Sequence, residues 1–317
     1  MTIWLGLVFW AAVAGAADLR FATWNADLSR DGPGLLLRDI LSGKDPEVEA
    51  VVQGLLNIRP DVVLLTRVDH DLNGIALNAL ASRLAQDGLE YPYRLAPAQN
   101  RGLPSGLDLD GNGRRGDPDD AHGYGRFSGD GAMAVLSRWP LGEVRDFSHF
   151  LWADMPDARL GTVPVAARAS HRLSSSAHWI VPVLLPDGGA LHLLAWAATP
   201  PLFGARNPDR NHDETAFWLH LLEGRLPMAP PSAPFVLIGL PNLAPGQGDP
   251  SALRALAVHP ALHPPAPGAS AMLASGPAPL SLIQPSADLH VTASGLHPEA
   301  ARHRMVWMTV TVDPAPP

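Results

Sequence analysis

The chain has no cysteine. That excludes disulfide staples, thiol nucleophiles and cysteine-ligated zinc, and it leaves the redox compartment open. Charge is also scarce. Only 17% of the residues are charged, and 31 acidic against 23 basic side chains leave a formal net charge of −8. A net negative chain is not a general nucleic-acid binder, because phosphate backbones are held by Lys and Arg. Local basic spots remain, at Arg114 and Arg115 and at Arg302-His303-Arg304. Beyond the N-terminal segment, no apolar run is long enough to span a bilayer. The stretch 180–198 is interrupted by Pro182, Pro186, Asp187, Gly188 and Gly189. No internal repeat is found.

What is present bounds the answer further. A length of 317 residues at 46% hydrophobic content supports a sizeable core. The start, "MTIWLGLVFWAAVAGAADL", has an apolar centre from Ile3 to Val13, followed by the small-x-small triplet Ala14-Gly15-Ala16. This pattern reads as a secretory signal over residues 1–16. The remaining chain, 17–317, is expected as one domain in the periplasm or outside the cell.

Strand and helix signals alternate along that chain. Strand formers fill "DLRFATWN" (18–25). In "DPEVEAVVQGLLN", Asp45 suits an N-cap and Pro46 the first helical position, with Val48, Val51, Val52, Leu55 and Leu56 at helical spacing. A strand over 61–66 follows. A second helix is predicted with Leu72, Ile75, Ala76, Ala79, Leu80 and Leu84 on one face. Gly/Asp-rich loop fills 101–130. Strands are predicted at 132–137, 178–185, 190–197 and 234–240, and helices at 211–224 and 251–258. Pro, Ala and Gly make 259–279 an irregular loop, and three strands close the chain.

Several fragments carry a resemblance: "DLDGNGR" (108–114), "DPDDAHGYGRF" (117–127), "GAMAVLSR" (131–138), "RNHDE" (210–214), "GPGLLLRDILSGKDPEV" (32–48) and "RLSSSAHW" (172–179). In order and number they resemble the endonuclease/exonuclease/phosphatase superfamily, in particular an exported bacterial branch. The resemblance implies a four-layer α/β sandwich, two packed mainly antiparallel β-sheets flanked by helices. It also implies magnesium-dependent cleavage of phosphoester bonds.

Carried over position by position, the resemblance gives an incomplete site. Asn25 matches the asparagine beside the metal. The metal-binding glutamate falls on Arg67. A histidine contacting the phosphate or leaving group falls on Ala197. In the Asp-x-Asn that activates water and orients phosphate, the aspartate falls on Leu240 and the asparagine on Asn242. A later aspartate falls on Ser281. Of a terminal Asp-His pair, which falls on Arg302-His303, only His303 remains. Metal ligand, general base and acid-side histidine are lost together, and Asn25, Asn242 and His303 stand as vestiges. The expectation is a catalytically silent protein kept for binding or structure. The alternative is a residual or rewired Mg-dependent phosphodiesterase or phosphatase.

An arginine at the metal position should replace the ion and pair with a carboxylate, because a lone buried cation is costly. Asp69 and Asp71 are the nearest in sequence, and both also suit ordinary loop or cap positions. Separately, "DLDGNG" places Asp108, Asp110 and Asn112 at alternate positions before Gly113, with Asp119 at the twelfth position, as in a calcium loop. A bound Ca2+ and a loop of Asx turns satisfy that spacing equally. The sequence names no substrate, partner or oligomeric state.

Overall fold

Consecutive residues of one strand point into different apolar layers. Val62 and Leu64 join a buried cluster with Phe21, Trp179, Leu193 and Ile238. Val63 and Leu65 join another, with Val51, Leu55, Leu80 and Leu84. Side chains alternate faces along a strand, so a strand apolar at every position is covered on both sides. This pattern fixes the layering seen in the computed structural model, which describes residues 17–298 and 301–313. The segment read as a secretory signal, 1–16, lies outside the described residues.

The first half of the chain forms β1 (Ala17–Leu28), α1 (Leu35–Ser42), α2 (Pro46–Ile58), β2 (Val62–Val68), α3 (Ile75–Gln86), β3 (Tyr93–Leu95) and β4 (Ala132–Ser137). Next come β5 (Arg145–Asp146), β6 (His178–Leu184), β7 (Ala190–Ala197), α4 (Asn207–Leu222), β8 (Phe235–Leu240) and α5 (Ser251–Ala257). The last elements are β9 (Ala271–Leu273), β10 (Gly276–Ala278), β11 (Leu282–Pro285), β12 (His290–His297) and β13 (Met305–Val312).

One sheet has the order β12-β13-β1-β2-β4-β3 and the other β11-β8-β7-β6-β5. Each is antiparallel except for one parallel pair, β1 with β2 and β7 with β8. The sheets pack face to face over the first cluster, α1–α3 cover the outside of one, and α4 and α5 cover the other through Trp196, Phe217, Trp218 and Leu256. The structure is thus the four-layer sandwich expected. Among the described residues, no helix is long and apolar enough to cross a membrane.

Local chemistry accounts for most boundaries. The Asp45 carboxylate accepts the N–H groups of Glu47 and Val48 and starts α2, with Pro46 in its first turn. Two expectations are corrected. The helix predicted from Leu72 starts only at Ile75, because Asn73 (φ 62°) and Gly74 (φ 64°) are left-handed and split off a short 3-10 turn. Leu72 is left 81% exposed, and the buried face is Ala76, Leu77, Leu80, Ala81 and Leu84. The segment 259–279, expected to be irregular, contains the β9–β10 hairpin. Composition hid it, since Pro and Ala are poor strand formers.

Candidate functional site

The two parallel pairs end side by side. Asn25 of β1 is level with Thr66 of β2, and Ala197 of β7 with Leu240 of β8. All four line one cleft of about 340 Å³. The ends of parallel strands are where an open sheet leaves room for a ligand.

The opening of this cleft depends on a bulge. Pairing between β1 and β2 jumps from Asn25–Thr66 to Leu28–Val68, and pairing of β2 with β4 jumps at the same place. Val68 therefore takes the next place in the outer apolar layer, and Arg67 is extruded with a left-handed backbone, φ 56°. Its Nε lies 3.2 Å from Oδ1 of Asp27, itself left-handed at φ 52°. The pairing expected with Asp69 or Asp71 does not occur. The Asp69 carboxylate is buried and accepts the N–H groups of Arg30 and Gly131, at 2.8 and 2.9 Å. Asp71 accepts the N–H of Ala76 at the start of α3.

The cationic lining extends beyond Arg67. Arg101 and Arg302 also face the cleft. The Arg101 Nε donates to the carbonyl of Asp130 at 2.9 Å. Burial pulls its pKa down to about 10, Asp130 acts against that and the Arg67 charge adds to it, so it stays a cation at neutral pH. Residues 302–304 are held by the short hairpin, through Met272 N–H to the Arg302 carbonyl and Arg304 N–H to the Ser270 carbonyl.

Two of the three vestigial residues, Asn25 and His303, are adjacent. The Asn25 Nδ2 is 3.4 Å from Nδ1 of His303, and the Trp24 indole N–H donates to the His303 carbonyl. Burial lowers the His303 pKa, Arg302 and Arg67 act in the same direction, and Asp27 opposes them. Asn242 also lines the cleft, but its side-chain amide ties the carbonyl of Ala198 at 3.1 Å. Ser281 lies outside the lining, where its N–H donates to Ser270 Oγ. Leu280 lines the cleft instead.

The "RNHDE" residues hold the surrounding loops. The fully buried Glu214 carboxylate accepts the N–H groups of Ser175 and Thr199. Asn211 donates to the carbonyls of Thr199 and Pro241, just beyond β7 and β8. Arg210 donates to the carbonyls of Leu173, His122 and Arg172. These residues position the cleft without lining it.

Magnesium, implied by the resemblance, needs several oxygen ligands with carboxylate charge among them. Among the described residues the lining offers one carboxylate, Asp27, already held by Arg67, and one buried amide oxygen without a donor, Oδ1 of Asn25. Three guanidinium groups share the same space. This donor set does not fit the ion.

The Asp-rich loop lies elsewhere. Asp108, Asp110 and Asp120 bring carboxylate oxygens within 4.8 Å of one another, as do Asp110, Asp117 and Asp119. The Asn112 carbonyl oxygen is turned away to accept the N–H of Arg114. Asp108 accepts the N–H groups of Gly111 and Gly113, so Asx turns shape the loop. Sequence spacing missed Asp120, Arg101 and Asp27. Asp27 and Arg101 are brought in by contacts distant in sequence, with Arg67 and Asp130, whereas Asp120 folds back within its own loop onto Leu109 and Gly116.

Residues 22–239 match the model of the Endonuclease/Exonuclease/phosphatase family. No curated protein sequence matches the chain. Among solved structures, an endonuclease/exonuclease/phosphatase from Beutenbergia cavernae DSM 12333 is 18% identical, covering 93% of this chain and 72% of its own, at a TM-score of 0.61. A family protein from Leptotrichia buccalis C-1013-b is 11% identical over 92% of this chain and 99% of its own, at 0.55. Sphingomyelinase C from Streptomyces griseocarneus is 14% identical over 92% and 99%, at 0.52.

Proposed function

The chain belongs to the endonuclease/exonuclease/phosphatase family, and within it we propose a catalytically silent member that binds an oxyanion, such as a phosphate group, without cleaving it. The observation that carries this reading is the lining of the cleft by Arg67, Arg101 and Arg302 where the family chemistry calls for a metal and its carboxylate. Guanidinium groups present planar pairs of donors that match phosphate and carboxylate oxygens. A divalent ion about 4 Å from one guanidinium is opposed by roughly 8 kcal/mol at an effective dielectric of about 20. Solvent reduces this at half-exposed Arg67, less so at Arg101. Ala197 and Leu240 offer no group to move a proton. Phosphate binding in the presence of a chelator, measured by calorimetry and lost in Arg67→Ala, tests the reading. Chelator-sensitive hydrolysis of a nitrophenyl phosphodiester overturns it.

His303 supports a second reading, a rewired phosphoesterase. It is half-buried, is held neutral, and faces the cleft beside Asn25. Turnover that persists in chelator and disappears in His303→Gln decides for it.

We also propose export and a loop calcium. Export rests on the apolar N-terminal run that ends in Ala14-Gly15-Ala16. Sequencing the N-terminus of exported protein tests it. Calcium rests on Asp108, Asp110 and Asp120, whose oxygens converge as a hard cation requires.

A further inference from the structure

The cleft has two chemically unlike parts. One is the arginine group with His303. The other is apolar, formed by Leu202 and Phe203 together with Leu273 and Leu280. Phe203 is the unusual member. It is 88% exposed, and its backbone is left-handed at φ 68°, a conformation rare for a bulky residue. Such a residue persists only where its surroundings over-determine it. Here they do. Asn207 Nδ2 holds the Leu202 carbonyl at 2.6 Å, Asn207 N–H holds the Gly204 carbonyl at 3.1 Å, and buried Glu214 holds the Thr199 N–H at 2.7 Å. The loop is fixed on both sides, and the phenyl ring is held out at the cleft.

Resting on the oxyanion reading above, we propose that the ligand is an oxyanion carried on a planar apolar body, with Arg67 and Arg101 on the anionic group and Phe203 against the body. An anion without a body leaves the Phe203 ring in water. An apolar ligand without a charge leaves three cleft-lining guanidinium groups facing one lining carboxylate, Asp27, among the described residues. Only a two-part ligand satisfies both. An exposed aromatic ring is a stacking platform for a flat group, and Arg302, exposed beside the same cleft, offers a second flat surface.

The experiment uses the protein in chelator, titrated calorimetrically with inorganic phosphate, phenyl phosphate and hexyl phosphate. Phenyl phosphate is expected to bind about tenfold tighter than inorganic phosphate, as stacking on one aromatic ring supplies. Phe203→Ala removes that gain and leaves inorganic phosphate within about twofold, and Phe203→Tyr keeps the gain. Arg67→Gln weakens all three ligands. If phosphate binds but phenyl phosphate gains nothing, or the gain survives Phe203→Ala, this inference fails and anion binding stands. If hexyl phosphate matches phenyl phosphate, the planar requirement is wrong. If no anion binds, the underlying reading fails.

Discussion

Asp27 and Arg67 face each other across the end of a parallel strand pair, both left-handed, with 3.2 Å between Oδ1 and Nε. Each is extruded by the same irregularity in pairing. The two side chains are 39% and 46% exposed, so the pair adds little to stability, about 0–1 kcal/mol, less in salt. Its effect falls on the cleft. Asp27 occupies a guanidinium that an entering anion needs. Asp27→Asn keeps a side chain that tolerates a left-handed backbone. The variant is expected to melt within a few degrees of the parent, at about 1 kcal/mol or less, and to bind phosphate several-fold more tightly. Unchanged or weaker binding places Arg67 elsewhere when the ligand is bound.

Acid should unfold this protein early. His171, His122 and His178 are buried. Burial pulls His171 down to about 2 and the other two to about 4, and the Arg210 charge acts in the same direction on all three. An unfolded histidine titrates near about 6.5. Between that value and the folded ones, the unfolded chain binds protons that the folded chain refuses. The stability is therefore present above about pH 6.5 and is lost as pH falls. Each histidine contributes up to roughly 1.4 kcal/mol per unit of pH in that window. Urea midpoints are expected to drop between about pH 7 and pH 5. Neither ring nitrogen of His171 has a partner among the described residues, so His171→Phe should flatten the drop. A midpoint independent of pH contradicts the neutral assignment.

Glu214 is the position where a substitution should do most harm. Glu214→Ala strips the Ser175 and Thr199 N–H groups of their acceptor and removes the acidic side chain that opposes the effect of burial on Arg210. Leaving each of these N–H groups unsatisfied costs about 1–3 kcal/mol. Thermal unfolding measures it. A loss below about 1 kcal/mol means that water replaces the carboxylate.

Much of this was legible in the sequence, for identifiable reasons. β4 (Ala132–Ser137) and β7 (Ala190–Ala197) match their expected limits because both are buried runs cut off by turn residues. The α2 start was legible because Asp45 and Pro46 act locally. The partner of Arg67 was not. Asp27 lies 40 positions earlier, and only the register of a parallel pair brings the two together. Nearness in sequence favoured Asp69 and Asp71, whose carboxylates the backbone claims. Phe203 was silent for a related reason, since a single exposed aromatic carries no periodicity.

Rebuilding the family residues offers a direct check on the alignment. Ala197 and Leu240 are register partners, and both share the cleft with Arg67. Arg67→Glu with Leu240→Asp and Ala197→His is expected to bind Mn2+, seen by calorimetry, before it gains any hydrolytic rate. The parent should show neither. A folded triple variant that binds no ion breaks the correspondence.

The Asp-rich loop separates from the cleft by its own experiment. Millimolar calcium is expected to raise the melting temperature, and Asp110→Asn to abolish the rise with little change in its absence, because Asp110 is exposed. Asp120→Asn should lower stability even without calcium, since its carboxylate accepts the N–H groups of Leu109 and Gly116. A parent melting temperature unmoved by calcium leaves the loop to its Asx turns.

β1 and β13 are adjacent in the middle of the six-stranded sheet, where Thr311 Oγ1 bonds the Asp18 carboxylate across 293 positions of sequence. The order of synthesis then matters. A ribosome has made nearly every other element before the strand that completes this sheet emerges, and β1 has been unpaired on that edge throughout. Contacts so distant in sequence form slowly, and a chain in that condition is prone to stick to its neighbours. Under the export proposed above, the same delay keeps the polypeptide threadable until β13 has crossed.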